Sequence, residues 1–93
     1  MPTEEEAELL ALSALGWIVS DDGTSQAFLE ATGVQATELP GLAAKRSFQC
    51  SVLEFLTSDD SYVLAFASAS NIEPTAPLFA LNRLKGRAGM HWT

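Results

Sequence analysis

A segment from the first half of the chain recurs in the second half. Residues 13–37 align without gaps onto residues 51–75, at an offset of 38 positions. Nine aligned pairs are identical: Ser13/Ser51, Leu15/Leu53, Ser20/Ser58, Asp21/Asp59, Asp22/Asp60, Ala27/Ala65, Phe28/Phe66, Ala31/Ala69 and Thr37/Thr75. Repeats of about this length occur in helical solenoids, but a solenoid needs about three repeats to bury a continuous core. Two copies therefore predict a pseudo-symmetric bundle in which the copies pack against each other.

Each repeat carries the signals of a helix-turn-helix unit. A Ser-Asp-Asp turn, at 20–22 and at 58–60, follows the first helix and supplies aspartates that cap the second. The second helix then reaches Gly33 in one repeat and Asn71 in the other. Glycine and asparagine adopt the left-handed conformation that ends a helix more easily than other residues. We therefore predict a helix end at both positions, followed each time by a short helix that opens near a threonine.

The first helix is predicted over residues 4–19. Thr3 and Glu6 form a Thr-x-x-Glu capping box, and the acids of the first turn suit the positive end of the helix dipole. The apolar residues form two stripes at helical spacing, Leu9, Leu12, Leu15 and Val19 in one and Leu10, Ala14 and Trp17 in the other. Because two stripes are wider than one amphipathic face, we expect this helix to be central.

The remaining helices are predicted from similar start and stop signals. We expect them at about 24–32, at 37–44, from a cap at Ser47 onward, from a cap at Asp59 or Asp60 to Asn71, and at 75–84. No stretch alternates polar and apolar residues with a period of two over six residues, so a β-sheet has no support. We therefore predict an all-α fold, a compact bundle of five to six short helices built from two pseudo-repeats of a helix-turn-helix unit.

Length and charge limit the organisation of the chain and its partners. The chain has 93 residues, of which 47% are apolar, as expected for one small globular domain. We assign residues 1–93 to a single helical domain, with a core at about 4–85 and a flexible tail at 86–93. Twelve acidic residues against five basic ones give a net charge of −7. Such a surface repels phosphate backbones, so we do not expect nucleic-acid binding.

The N-terminus and the cysteine content predict a cytoplasmic protein. Four glutamates precede the first leucine, so neither a secretory signal nor a transit peptide fits. The apolar run at 9–19 is shorter than the ~20 residues that span a bilayer, so we expect no membrane association. Cys50 is the single cysteine, which excludes an intramolecular disulfide and a cysteine-rich zinc site. A free cysteine without an export signal is typical of the cytosol.

Several segments resemble one known family. They are Phe28-Leu-Glu-Ala-Thr-Gly-Val, Ser51-Val-Leu-Glu-Phe-Leu, Ser58-Asp-Asp, Ala65-Phe-Ala and Asn71-Ile-Glu-Pro. Together they resemble, over residues 7–84, a small alphaproteobacterial family catalogued as domain of unknown function 3572. Asn71 stands where that family usually has glycine, Glu54 stands where aspartate is common, and the tail after Gly86 is an addition. The resemblance implies a cytoplasmic bacterial helical protein and brings no activity, cofactor or catalytic residue.

The paired aspartates are the strongest candidates for chemistry. If the repeats pack about a pseudo-twofold axis, Asp21 and Asp22 converge with Asp59 and Asp60 and offer oxygen ligands to a divalent cation. The simpler interpretation, which we favour, is that each pair caps the helix that follows it. We therefore predict no metal site and no cofactor.

Two other reactive side chains have simple structural interpretations. Cys50 lies in a predicted helix, where we expect it to be buried as a small hydrophobic residue. His91 is the only histidine, and no acid or nucleophile stands at a spacing that indicates a catalytic triad. We therefore predict no catalytic residue and no enzymatic activity.

A predicted basic patch is the one sequence feature that favours DNA binding. Lys45, Arg46, Arg83, Lys85 and Arg87 form a single patch if the short third helix meets the C-terminus. A helix-turn-helix DNA reader, however, needs basic residues on its recognition helix. The second helix of each repeat carries almost none. A DNA-binding, transcription-associated regulator is therefore the alternative and not the leading hypothesis.

The leading hypothesis comes from a surplus of large apolar residues. Trp17, Leu78, Phe79, Met90 and Trp92 exceed what a bundle of this size must bury. Exposed apolar patches above a few hundred Å² usually mark partner sites, so Trp17, Phe79 and Trp92 are candidate partner-binding residues. We therefore predict a non-enzymatic protein-protein interaction or structural domain, whose partner is another protein or a second copy in a homodimer.

Overall fold

The structure is a computed structural model that describes residues 2–90, with the side chains of residues 2–86. Its helices are α1 (Glu4–Val19), α2 (Asp22–Thr32), α3 (Leu39–Leu42), α4 (Arg46–Thr57), α5 (Asp60–Ser70) and α6 (Ala76–Met90), with a 3-10 turn (Ala36–Glu38) before α3. No strand occurs between residues 2 and 90, and the predicted all-α class is confirmed. The radius of gyration is 12.6 Å, as expected for a compact chain of this length, ~12 Å.

The predicted capping residues begin three of the helices. At α1, the Thr3 N–H donates to Glu6 Oε1 at 2.8 Å, and the Glu6 N–H donates to Thr3 Oγ1 at 3.1 Å. At α2, Asp21 accepts a hydrogen bond from the backbone N–H of Thr24 at 2.9 Å. At α5, Asp59 accepts one from the backbone N–H of Ser61 at 2.8 Å. The Ser-Asp-Asp turns therefore act as helix starts in both repeats.

The predicted helix ends at Gly33 and Asn71 are also confirmed. Gly33 follows α2 with a φ of 74°, and Asn71 follows α5 with a φ of 57°. Both angles are left-handed, the conformation that turns the chain out of a helix. The predicted stop near Gly86 coincides with a break inside α6, where Gly86 has a φ of 43° and the helix resumes as far as Met90.

The predicted start of α4 is wrong. The helix α4 begins at Arg46, and its N-cap is Lys45, which makes no side-chain capping hydrogen bond, so Ser47 is not the cap. The Gln49 side chain instead donates from Nε2 to the carbonyl of Ala43 at 2.9 Å, which ties the start of α4 to the segment before it.

The helix predicted at 37–44 is a 3-10 turn followed by the four-residue α3, which has a proline in its first turn. The second helix, predicted to begin at about residue 24, starts at Asp22, because the capping carboxylate belongs to Asp21.

Three helices form the centre of the molecule. The helices α1, α4 and α6 all pack against one another, while α2 contacts α1 and α4, and α5 contacts α4. The buried core is apolar and consists of Ala7, Ala11, Ala14, Ile18, Phe28, Phe48, Val52, Leu53, Leu56, Phe66, Ala80, Leu81 and Leu84. The central position predicted for α1 agrees with these contacts. The pseudo-symmetry of the two repeats stays a prediction.

The buried face of α1 is not made of its leucines. Ala7, Ala11, Ala14 and Ile18 are buried, whereas Leu9, Leu12 and Val19 are exposed to 62%, 40% and 41%. In the first apolar stripe only Leu15 is half-buried, whereas in the second Ala14 is buried and Leu10 and Trp17 are half-buried. The physical reason is the size of the side chains. The distance between two packed helices depends on the side chains at their contact, and alanines allow a short distance.

Six aromatic side chains join the outer helices to the centre. Each contacts the next, with ring centroids 5.1 to 6.3 Å apart, in the order Phe66, Trp17, Tyr62, Phe55, Phe28 and Phe48. Four of the five contacts are edge-to-face, and Phe55 stacks on Tyr62. Edge-to-face and offset-stacked pairs each add ~1 kcal/mol beyond the area they bury. This chain of rings holds α2 and α5 against α1 and α4.

Because α1 buries alanines and exposes leucines, two substitutions on it should lower the stability by unequal amounts. Ala11→Leu places three extra carbons in a filled helix contact and should lower the free energy of unfolding by about 1–3 kcal/mol. Leu9→Ala removes a side chain that is mostly in water and should cost less than about 1 kcal/mol. Urea unfolding followed by circular dichroism measures both. A larger loss from Leu9→Ala than from Ala11→Leu would contradict the packing described.

The capping carboxylates predict a loss of stability in acid. Backbone and side-chain hydrogen bonds from Thr24 lower the pKa of Asp21, and the side-chain and backbone bonds from Ser61 lower the pKa of Asp59. The folded state therefore binds fewer protons than the unfolded state in this range. The stabilisation is fully present above the ordinary carboxyl pKa of about 4 and is lost as the pH falls through the lowered values.

The double variant Asp21→Asn, Asp59→Asn isolates this effect, because asparagine caps a helix about as well as aspartate but does not titrate. We expect its stability to match that of the native chain at pH 7 and to fall less steeply below pH 4. Thermal unfolding across the pH range measures the difference. If both proteins lost the same stability in acid, the capping carboxylates would not be the cause of that loss.

Candidate interaction surface

One side of α1 presents an apolar surface to solvent. We call it the outer stripe, and its residues are Leu9, Leu12, Gly16 and Val19, all of them exposed. At 3.6 residues per turn these positions share one side of the helix, roughly opposite the buried alanines. Nothing lies within 4 Å of a Cβ placed on Gly16, so the middle of the stripe is open. The stripe is therefore an apolar helix face that no other part of the described chain covers.

Acidic residues stand at both ends of the outer stripe. Glu5 is exposed one turn before Leu9, and Asp22 is exposed three residues after Val19. The neighbouring Glu4 belongs to an ion pair with Arg46, while Glu5 and Asp22 form no ion pair with another described residue. The surface is thus apolar along its length and negatively charged at its ends.

The three predicted partner-binding residues lie in different settings. Trp17 is half-buried between α1 and α5, where its ring meets those of Tyr62 and Phe66 at 6.3 and 5.9 Å. Phe79 lies on α6 and is 44% exposed. Trp92 falls outside the described residues. Their role in binding a partner stays a prediction.

A cleft of about 520 Å³ opens beside the end of α2 and the outer side of α4. Its lining residues are Ala31, Thr32, Val34, Phe48, Ser51, Glu54, Phe55 and Ser58. The hydroxyls of Thr32, Ser51 and Ser58 each donate to a carbonyl of their own helix, at 2.9, 3.2 and 2.6 Å. The Glu54 carboxylate pairs with Lys85 at 3.1 Å. These polar groups are engaged by the protein itself, so the cleft offers mainly apolar contact.

The first carboxylate of each Ser-Asp-Asp turn is bound to the helix that it caps, whereas Asp22 and Asp60 are the first residues of those helices. Asp21 accepts from the Thr24 hydroxyl at 2.8 Å in addition to the backbone, and Asp59 accepts from the Ser61 hydroxyl at 2.7 Å. Among residues 2–90, no group of three or more histidine, cysteine, aspartate or glutamate side chains is placed to hold a metal ion. The arrangement in the described chain is that of helix caps.

The cysteine is a poor nucleophile in its folded environment. Cys50 is half-buried on α4, and burial raises the pKa of its thiol, with the Glu54 carboxylate acting in the same direction. Lys85 and Arg46 oppose this effect but do not reverse it. A thiol with a raised pKa holds little thiolate at neutral pH. The other candidate, His91, lies outside the described residues.

Two residues of the predicted basic patch are bound to acids. Arg46 pairs with Glu4 and lies 4.0 Å from Glu8, and Lys85 pairs with Glu54. These pairs link the start of α4 to α1 and the middle of α6 to the outer side of α4. Exposed ion pairs of this kind contribute ~0.5 kcal/mol each. They also reduce the positive charge that those two side chains present to solvent.

The two apolar stripes predicted a central helix, but they did not show which of its faces stays exposed. A signal was available, since Ala7, Ala11, Ala14 and Ile18 form a third stripe at helical spacing. A helix with apolar residues on every side can bury only the faces that its neighbours reach. No helix in residues 2–90 is long and apolar enough to cross a bilayer.

Comparison with known proteins identifies one family. A family model described as a protein of unknown function, DUF3572, matches residues 4–87. The resemblance predicted from the short segments is therefore confirmed over nearly the whole chain. No curated protein and no solved structure matches the chain.

The environment of Cys50 predicts slow alkylation. Because burial raises the pKa of its thiol, the pH dependence of its reaction with iodoacetamide should lie at higher pH in the folded protein than in urea. Mass spectrometry of samples quenched over time measures both rates. A midpoint for the folded protein equal to or below that in urea would show that the thiol is not buried as described.

Proposed function

The chain belongs to the DUF3572 family, and we propose that it is a non-enzymatic cytoplasmic domain that binds a protein partner through the outer stripe of α1. The observation that supports this most is the exposure of Leu9, Leu12 and Val19 on one helix face. Isolated exposed apolar residues are ordinary, but a continuous row of them along a helix marks a contact surface.

Burial of this surface supplies part of the free energy of binding. Burial of a leucine or valine that was fully exposed contributes ~1.5–3 kcal/mol, and these three side chains begin at about half exposure. Together they supply a few kcal/mol before the contacts of neighbouring residues are added. A partner that covers the stripe also removes apolar surface that the isolated domain leaves in water.

The polar residues support a non-enzymatic role. The carboxylates of Asp21 and Asp59 cap helices, and those of Glu4 and Glu54 form ion pairs. The thiol of Cys50 is half-buried, and its raised pKa opposes nucleophilic chemistry. These four carboxylates are thus engaged in stabilising the fold. No specific observation favours the DNA-binding alternative, since Arg46 and Lys85 both pair with glutamates.

Site-specific photo-crosslinking in the native host tests this proposal. A photoreactive phenylalanine analogue replaces Leu12 in one variant and Leu64 in a control, because Leu64 lies on α5 and is the more exposed of the two, at 57% against 40%. We expect a discrete covalent adduct with another protein from position 12 and not from position 64. The absence of any adduct at position 12, or equal adducts at both positions, would contradict a partner site on the outer stripe.

A further inference from the structure

We infer that the partner segment that docks on the outer stripe is a basic amphipathic helix. The inference rests on the proposed function and adds the chemical class of the partner. It follows from the spacing of the stripe, from the open position at Gly16 and from the charges at the two ends.

The spacing of the outer stripe is that of a helix-helix seam. Leu9, Leu12, Gly16 and Val19 follow one another at intervals of three, four and three residues. This is the heptad pattern by which one helix packs along another. The stripe is ten residues from end to end, or ~15 Å at 1.5 Å per residue, and so matches a partner helix of about three turns.

The centre of the stripe accepts a large side chain. Gly16 has no side chain, and nothing lies within 4 Å of the place that its Cβ would occupy. Leu12 precedes this gap by about one turn, and Val19 follows it by about one turn. A leucine, isoleucine or phenylalanine of the partner fits between them, as a knob enters a hole in paired helices.

Charge selects a basic partner. Glu5 lies one turn before Leu9 on the same side of α1, and Asp22, the first residue of α2, follows Val19 by three residues. Both are exposed, and neither forms an ion pair with a described residue. The stripe itself carries no charge, and α1 contains no lysine or arginine. Lysine or arginine residues near both ends of the partner helix therefore meet carboxylates, which steers the encounter and fixes the position of the partner along the stripe.

The same charges oppose the other occupants. A second copy packed in parallel sets Glu5 against Glu5. An antiparallel copy with Leu12 facing the partner's Gly16 brings Glu5 to the end that carries Asp22. Like charges placed opposite each other at an interface are unfavourable. Phosphate backbones and anionic membrane surfaces are repelled by the net charge of −7.

Three synthetic peptides test the inference on the full chain. The first is a peptide of about 14 residues with leucines at heptad spacing, alanines between them and lysines at both ends. The second has glutamate in place of every lysine, and the third has the composition of the first in scrambled order. Fluorescence anisotropy of labelled peptides should show saturable binding of the first only, weakened by salt. Stronger binding of the glutamate peptide, or equal binding of the scrambled peptide, would overturn the inference.

Variants of the protein locate the contact. Leu12→Gln should weaken the binding of the lysine peptide at least tenfold, because it removes a leucine that the bound peptide would bury. Leu64→Gln, an equally drastic change elsewhere on the surface, should change the affinity less than twofold. The double variant Glu5→Gln, Asp22→Asn should bind the lysine peptide about fivefold more weakly, and its affinity should depend less on salt. Equal effects of the Leu12 and Leu64 variants would refute docking on the outer stripe. Circular dichroism confirms that each variant is folded.

The outcomes separate this inference from the proposed function. An adduct at position 12 in the host, combined with no binding of the lysine peptide, would retain the partner site and overturn the basic helix as its ligand. A dimer in analytical ultracentrifugation that Leu12→Gln dissociates would identify a second copy as the occupant and also overturn it. Loss of the adduct itself would instead refute the proposed function.

Discussion

The close packing of α1 through its alanines is the constraint on which the rest of the structure depends. Ala7, Ala11 and Ala14 are buried where α1 meets its neighbours, and small side chains allow two helix backbones to approach closely. A helix that carries apolar residues on every side cannot bury all of them in a molecule of this size. Burying the alanines therefore leaves larger apolar side chains on the opposite side, and the outer stripe is a direct consequence of how the core is built.

The peripheral helices are held by a different kind of contact. The chain of six aromatic rings begins at Phe66 on α5, passes through Phe28 on α2 and ends at Phe48 on α4. The helix caps at Asp21 and Asp59 set where α2 and α5, which carry three of the six rings, begin. Capping explains part of the acidity of the chain, and the acids that remain at Glu5 and Asp22 give the outer stripe its charge preference.

The features that could be predicted from the sequence are local. The capping box at Thr3, the aspartate caps and the left-handed residues Gly33 and Asn71 depend on a few neighbouring residues, and all are confirmed. The start of α4 involves a bond from Gln49 to Ala43, six residues away, which no capping pattern indicates. The burial of alanine over leucine on α1 depends on its packing against α4 and α6, which are distant in the sequence. Hydrophobic periodicity identifies apolar faces, but it does not decide which of two such faces the neighbouring helices cover.

The exposure of individual side chains on α1 is the most direct test of this account. Hydroxyl-radical footprinting of the dilute protein, read by mass spectrometry, reports the solvent exposure of each leucine and isoleucine separately. The account predicts rapid oxidation of Leu9 and Leu12 and protection of Ile18, which lies on the same helix and is fully buried. Protection of Leu9 and Leu12 to the level of Ile18 would contradict it, because the outer stripe would then lie inside the core.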